Sequence, residues 1–289
     1  MSFAQPFVFA ALVSLVLTRG LAALAPRIGW VDAPTLERKR QSRPVPPVGG
    51  VAIVLACAMA QALAGSVEDG TWQSDTSESL GWLVVFAPWS TTWHWPLDLA
   101  VTCALASVLA GAVGLLDDLR SPGLGAGQKL SLQFGLAFVV GWAVGVRIWG
   151  FDLTAALPAY RFAFLSALFA VVAVNLANTF DHADGSLGSI AWIGLVFAGA
   201  PAAAGAVFGF LPWNLNAGKR EEANGLHRPP TAYLGDAGSH LLGAWILLCP
   251  QAWPVLLVPA LDLARLSVAR LVRGSRPWIG DREHLGHRL

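Results

Sequence analysis

Apolar residues run along this chain in long blocks separated by short polar stretches. The first block covers 3–25 and carries one Arg within a run of Phe, Val, Leu and Ala. Others cover 49–65, 97–116, 130–149 and 162–180, each nearly free of charge. Two more, 187–212 and 241–264, contain internal Pro and Gly. About 20 mostly apolar residues in a helix cross the ~30 Å hydrocarbon core of a bilayer. The pattern therefore predicts an all-α, polytopic integral membrane helical bundle, built as a single domain over 1–289. Residues 1–25 lack the basic start of a secretory leader and are long enough to span, so the first block reads as an uncleaved helix.

Composition agrees with the pattern. Hydrophobic residues make up 55% of the 289 and charged residues 13%, where soluble domains carry roughly 25% charged. Disorder is excluded by that apolar content. A formal charge of +1 gives no support to nucleic-acid binding. Cys57, Cys103 and Cys249 all lie inside apolar runs, without CxxC spacing, and read as small buried hydrophobes.

Charge changes the picture by giving an orientation. The segment 26–48 holds Arg27, Arg38, Lys39, Arg40 and Arg43 against Asp32 and Glu37, and 265–289 holds six Arg. The segment 66–96 has no Lys or Arg and instead carries four acids and five Trp, Trp72 and Trp95 among them. Basic loops stay in the cytoplasm and Trp gathers at the interface. This predicts 26–48 and the C-terminal segment as cytoplasmic and 66–96 as external.

Counting spans onward puts GLLDDL (114–119) and NLANTFDHADG (175–185) on the same, cytoplasmic, face. The candidate site residues there are Asp117, Asp118, Lys129, Asn175, Asn178, Asp181, Asp184 and, further on, Asp236. One acid at a helix end is ordinarily just wetted by the interface, but several from separate segments point to a shared cation or phosphate site. Adjacent carboxylates repel unless a cation or proton lies between them. Oxygen donors of Asp and Asn type suit Mg²⁺, which bridges to substrate phosphates. Asn175, Asn178 and Asp181 follow at i, i+3, i+6, along one side of a helix end. Lys129 is of the type that binds phosphate as a point charge. Residue chemistry alone thus implies Mg²⁺-dependent handling of a phosphorylated substrate.

Five segments in order extend this reading: GWVDAPTLERKRQSRPVPPVGGVAI (29–53), GLLDDLRSPGLGAGQKLSLQ (114–133), NLANTFDHADGSLGS (175–189), YLGDAGSHLLG (233–243) and DREHLGHRL (281–289). Together they resemble the polyprenyl-phosphate N-acetylhexosamine-1-phosphate transferases, the GlcNAc-1-phosphate branch more than the muramoyl-pentapeptide branch. The resemblance implies a multi-pass enzyme of the bacterial inner membrane. A polyprenyl phosphate, undecaprenyl phosphate in type, would attack a UDP-N-acetylhexosamine to give polyprenyl-diphospho-sugar and UMP, with Mg²⁺, or Mn²⁺ as the alternative ion. It further implies that Asp117, Asp118, Asp181 and Asp184 are catalytic and that Asn178 and Asp236 hold the metal. Lys129, Asn175, Arg282, His284 and His287 would bind substrate.

The sequence also departs from the family pattern. His182 and Gly286 stand where Gly and His are usual, and Gln41 and Pro47 stand where His and Arg are common. The seven apolar runs fall short of the ten or eleven helices of relatives. If 187–212 crosses once, Asp236 lands outside, away from the other acids. Two full spans would need ~40 residues, so the expectation is a re-entrant pair turning at 199–205, and a second turn at 250–254. Re-entrant backbone requires protein cover, from partner helices or a second copy of the chain. Two other classes stay open. An inactive relative would keep a binding or scaffold role, and a secondary transporter would place its acids at mid-membrane.

Overall fold

The computed structural model describes residues 3–34, 41–67, 97–120, 123–148, 156–181, 184–215 and 229–274. Among them are nine α-helices and no strand, the nearest to one being an isolated bridge between Asp32 and Val45. The helices are α1 (Ala4–Leu24), α2 (Gly49–Val67), α3 (Leu97–Asp118), α4 (Ala126–Ile148), α5 (Ala156–Phe180), α6 (Ser186–Phe197), α7 (Pro201–Asn214), α8 (Gly235–Leu248) and α9 (Leu257–Val272). Two described helical stretches, Ala4–Ile28 and Tyr160–Phe180, are long and apolar enough to cross a membrane by length and composition. Most of the acidic, Trp-rich segment 66–96 lies outside the described residues.

Small residues set the packing. In α1 the buried positions Pro6, Ala10, Ser14, Thr18 and Ala22 recur every fourth residue, a narrow stripe on one face. That stripe receives α7. A Cβ on Gly205 or Gly209 would overlap the carbonyls of Phe7 and Ala11, so the two backbones touch. Such approach is how helices associate where lipid removes the hydrophobic drive between them. Thr18 and Trp213 donate to the carbonyls of Ser14 and Leu15 at 2.7 and 2.8 Å, which satisfies two polar groups inside this contact.

The 187–212 run is a hairpin. Helix α6 has 12 residues and α7 has 14, about 18 and 21 Å at 1.5 Å per residue, and each is shorter than a bilayer core. Gly199 turns the chain at φ +69, and Pro201 opens α7 in the first-turn position suited to it. The arms run antiparallel, with Gly188 against Leu211 and Gly185 against Leu215. The 241–264 run is likewise broken, by a 3-10 turn over Pro250–Leu256 between α8 and α9.

Helix α8 stands at the centre. Leu241, Leu242, Trp245 and Ile246 are buried in the core. Three glycine contacts bring neighbours to it: Gly50 of α2 against Gly238, Gly114 of α3 against the Asp236 carbonyl, and its own Gly243 against Val174 of α5. The segment 41–50 also binds the approach to α8. Tyr233 N–H donates to the Pro46 carbonyl at 3.0 Å, while Gly49 and Gly50 N–H donate to the carbonyls of Tyr233 and Leu234 at 3.0 and 2.9 Å. The first amides of α2, which have no partner within their own helix, are thereby satisfied.

Candidate functional site

Four helix ends meet at one place: the C-termini of α3 and α5 and the N-termini of α4 and α8. From α3 come Asp117 and Asp118, from α4 Lys129, from α5 Asn175 and Asn178, and from α8 Asp236. The Lys129 ammonium bridges the first and last of these helices. It donates to Asp117 Oδ2 at 2.8 Å and to Asp236 Oδ2. Asp117 Oδ1 accepts the Leu124 N–H, which folds the α3–α4 connection over the pair.

Asn178 ties α5 into the cluster. Its Nδ2 donates to Asp236 Oδ1 at 2.8 Å and to Ser239 Oγ at 2.9 Å. With both amide hydrogens engaged, Asn178 presents its carbonyl oxygen as the acceptor. Asn175 is held in the same manner, with Nδ2 donating to Gln133 Oε1 at 2.7 Å and to the Val171 carbonyl at 2.8 Å. Since Gln133 Oε1 is taken, its Nε2 donates to His240 Nε2 at 2.7 Å, which fixes His240 as the Nδ1–H tautomer. A continuous path of side chains therefore runs from Asn175 through Gln133 and His240 into the first turns of α8.

Asp118 turns away from Lys129. Its Oδ1 accepts the Asp236 N–H and its Oδ2 the Ala237 N–H, each at 2.9 Å. Burial pushes the Asp118 carboxyl up to about 7, against the lowering effect of those two backbone donors and with the help of the nearby Asp236 and Asp117 charges. Asp181, one residue past α5, is also raised well above the carboxylate range, by burial first and then by Asp236, Asp118 and Asp184. Asp236 moves the other way. Burial would raise it, but its side-chain hydrogen bonds, those from Lys129 and Asn178 among them, and the Lys129 charge hold it low. The Lys129 ammonium is favoured despite burial, by Asp117 and Asp236.

Asp117, Asp118, Lys129, Asn178 and Asp236 are thus joined by direct hydrogen bonds, with Asn175 linked through Gln133. Asp181 and Asp184 lie within electrostatic range of the cluster. Arg282, His284 and His287 lie outside the described residues, as do His182 and Gly286. Two of the residues that depart from the family pattern belong to the frame. Gln41 accepts the Tyr233 hydroxyl at 2.7 Å and donates to the Asp32 carbonyl at 2.8 Å. Pro47 packs against Gly235. Sequence reasoning missed Gln133, Ser239 and His240, although the signal was there. Gln133 follows Lys129 by four, and Ser239 and His240 follow Asp236 by three and four, spacings that put each on its neighbour's helix face.

The donors suit a hard divalent cation. Among the described residues no three His, Cys, Asp or Glu gather into a metal-holding group. The Asp236 carboxylate and the Asn178 amide oxygen match the one or two protein ligands that Mg²⁺ takes when phosphate oxygens and water complete its shell.

Fold and site together define an all-helical, small-residue-packed apolar protein with a carboxylate–ammonium–amide centre at its helix ends. Comparison with known proteins makes that class specific: residues 100–250 match the model of glycosyl transferase family 4, and the chain belongs to this family. It is 26% identical over 286 residues to the undecaprenyl-phosphate alpha-N-acetylglucosaminyl 1-phosphate transferase of Thermotoga maritima, covering 96% of this chain and 78% of that protein. The Escherichia coli K12 protein of the same name is 27% identical, over 91% of this chain and 70% of its own. The decaprenyl-phosphate N-acetylglucosaminephosphotransferase of Mycolicibacterium smegmatis is 28% identical, over 97% and 73%.

Proposed function

We propose that this protein transfers GlcNAc-1-phosphate from UDP-GlcNAc to a polyprenyl phosphate, giving polyprenyl-diphospho-GlcNAc and UMP. The observation that carries the reading is the Lys129 ammonium held between Asp117 and Asp236, beside Asn178. The names of the three relatives above support the same substrates.

Phosphoryl transfer depends mainly on positioning and on neutralising charge. In the reaction a lipid phosphate oxygen bonds to the β-phosphorus of the sugar nucleotide as the bond to UMP breaks. Lys129, already placed between two helices, meets the diphosphate. Asn178 and Asp236 would hold Mg²⁺, which when bound would neutralise phosphate charge. Asp117 orients Lys129 and faces the incoming lipid phosphate. Asn175, Asp181 and Asp184 shape the nucleotide and sugar pocket, and Arg282, His284 and His287 are assigned to binding the substrate phosphates.

The site belongs on the cytoplasmic side of a multi-pass protein of the bacterial inner membrane. Supporting this placement are the five basic residues of 26–48, the two spanning-length helices and the bacterial sources of the relatives. Helices α6 and α7 then form a re-entrant hairpin that leaves Asp236 on the same face as Asp117.

The test is UMP release by protein in nanodiscs, given UDP-GlcNAc, undecaprenyl phosphate and Mg²⁺. Activity should vanish with chelator and drop about 100- to 1,000-fold in Asp117→Asn and Asp236→Asn, the range seen when a charge-stabilising group is removed. Undiminished turnover in both variants removes the assigned roles. UDP-GlcNAc binding without UMP release favours the inactive, scaffold-type relative.

A further inference from the structure

The two adjacent aspartates of GLLDDL face different partners, and the difference assigns them different work. Helix α8 starts without a cap of its own. The residue before it, Leu234, offers no side-chain acceptor, although the first amides of a helix lack intrahelical partners. Asp118, 118 positions before Asp236, supplies what is missing. Its two oxygens take the Asp236 and Ala237 amides at 2.9 Å each.

The surroundings are built around this contact. Gly114 lies one turn before Asp118 on α3, and a Cβ there would overlap the Asp236 carbonyl. Gly235 has φ +76, and a Cβ on it would stand 2.7 Å from Asp118 Oδ2. Glycine at both positions lets α3 lie against the α8 start closely enough for the carboxylate to reach two amides. Asp117, one residue earlier, has no bond to α8 backbone and instead engages Lys129 and Leu124. The side chain of the residue that Asp118 holds, Asp236, meets Lys129 and Asn178.

We propose that Asp118 is a positioning residue, whose carboxyl group caps α8 and thereby fixes Asp236 for its cation and phosphate contacts. The proposal deepens the transferase reading and rests on it for the purpose of the positioning, while the cap itself is independent of the reaction. It reassigns Asp118 from chemistry to the frame and leaves Asp117 as the member of the pair that meets substrate.

The experiment compares wild type, Asp118→Asn and Asp118→Ala in nanodiscs by three readings. These are amide exchange over peptides spanning 234–240, Mn²⁺ affinity without substrate, and UMP release. Asn keeps one acceptor oxygen and Ala none. Exchange at the α8 start should therefore rise in the order wild type, Asn, Ala, by about ten-fold or more for Ala, with 241–248 unchanged. Mn²⁺ affinity and turnover should fall in the same order. In an Asp236→Asn background, adding Asp118→Asn should cost no further Mn²⁺ affinity, because Asp118 acts through Asp236. If the Ala variant does not fold, the Asn variant supplies the exchange and affinity readings.

Unchanged exchange in these variants overturns the cap. Asn as damaging to turnover as Ala, with Mn²⁺ affinity intact, returns Asp118 to the chemical step and overturns positioning. Lower thermal stability with unchanged Mn²⁺ affinity makes Asp118 a fold residue only, which also overturns it. A wild type that shows the exchange pattern and binds Mn²⁺ but releases no UMP sinks the transferase reading and leaves the cap standing.

Discussion

Asp118 and Asp236 show how surroundings separate like groups: burial raises one carboxyl while an ammonium and an amide hold the other low. A pH dependence follows for the metal-free protein. Folded Asp118 keeps its proton up to about 7, whereas the unfolded chain releases it near 3.8. Between those values the unfolded state binds fewer protons, so this group's contribution to stability declines as pH rises. The thermal midpoint in chelator should fall more from pH 4 to 7 in wild type than in Asp118→Asn, and equal slopes would contradict the assignment. Gly114 supplies a second prediction. Gly114→Ala adds a methyl where the Asp236 carbonyl lies and should lower UMP release about 100-fold or more, since ~1 Å of misplacement at a reacting centre is that costly. Turnover within three-fold of wild type would mean that α3 and α8 yield without disturbing Asp236.

At the scale of elements, the touching backbones of α1 and α7 leave no room for side chains. Gly205→Ala and Gly209→Ala each force the helices apart, and overpacking of this kind costs about 1–3 kcal/mol. Both should lower the unfolding temperature in detergent, whereas Gly20→Ala, where a Cβ meets nothing within 4 Å, should not. The apolar blocks announced the helices well, because continuous hydrophobicity is what a buried or lipid-facing helix requires. The broken runs were legible too, through Gly199–Pro201 and Pro250. Helix partners were not. The α1 stripe of Ala, Ser and Thr looks like ordinary helix composition until α7 presents its glycines. In the site, Asp117, Lys129, Asn178 and Asp236 stood out because polar groups are conspicuous in apolar sequence. The role of Asp118 did not, since a cap is recognisable only once the helix it caps, more than a hundred residues away, has been placed beside it.

For the whole molecule, the decisive question is which side of the membrane each loop occupies. The proposed hairpin of α6 and α7 returns the chain to the face it left, so residues 213–236 share a side with 26–48. A cysteine introduced at position 225 should react with membrane-impermeant maleimide only after the cytoplasmic face is opened. Labelling of intact cells would put 225 outside and separate Asp236 from Asp117, ruling out the membrane placement described above. The link between α3 and α8 has a temporal meaning as well. The ribosome delivers Asp117, Asp118 and Lys129 long before Asp236, and α1 about 200 residues before the α7 glycines it packs against. In the proposed membrane placement α1 therefore inserts with its small-residue face still uncovered, and Asp118 waits for the α8 amides that it meets in the finished fold. In that placement the site closes late in synthesis, when α8 arrives between helices already inserted. A chain interrupted before residue 235 would carry most of its membrane mass and lack the helix around which the site is assembled.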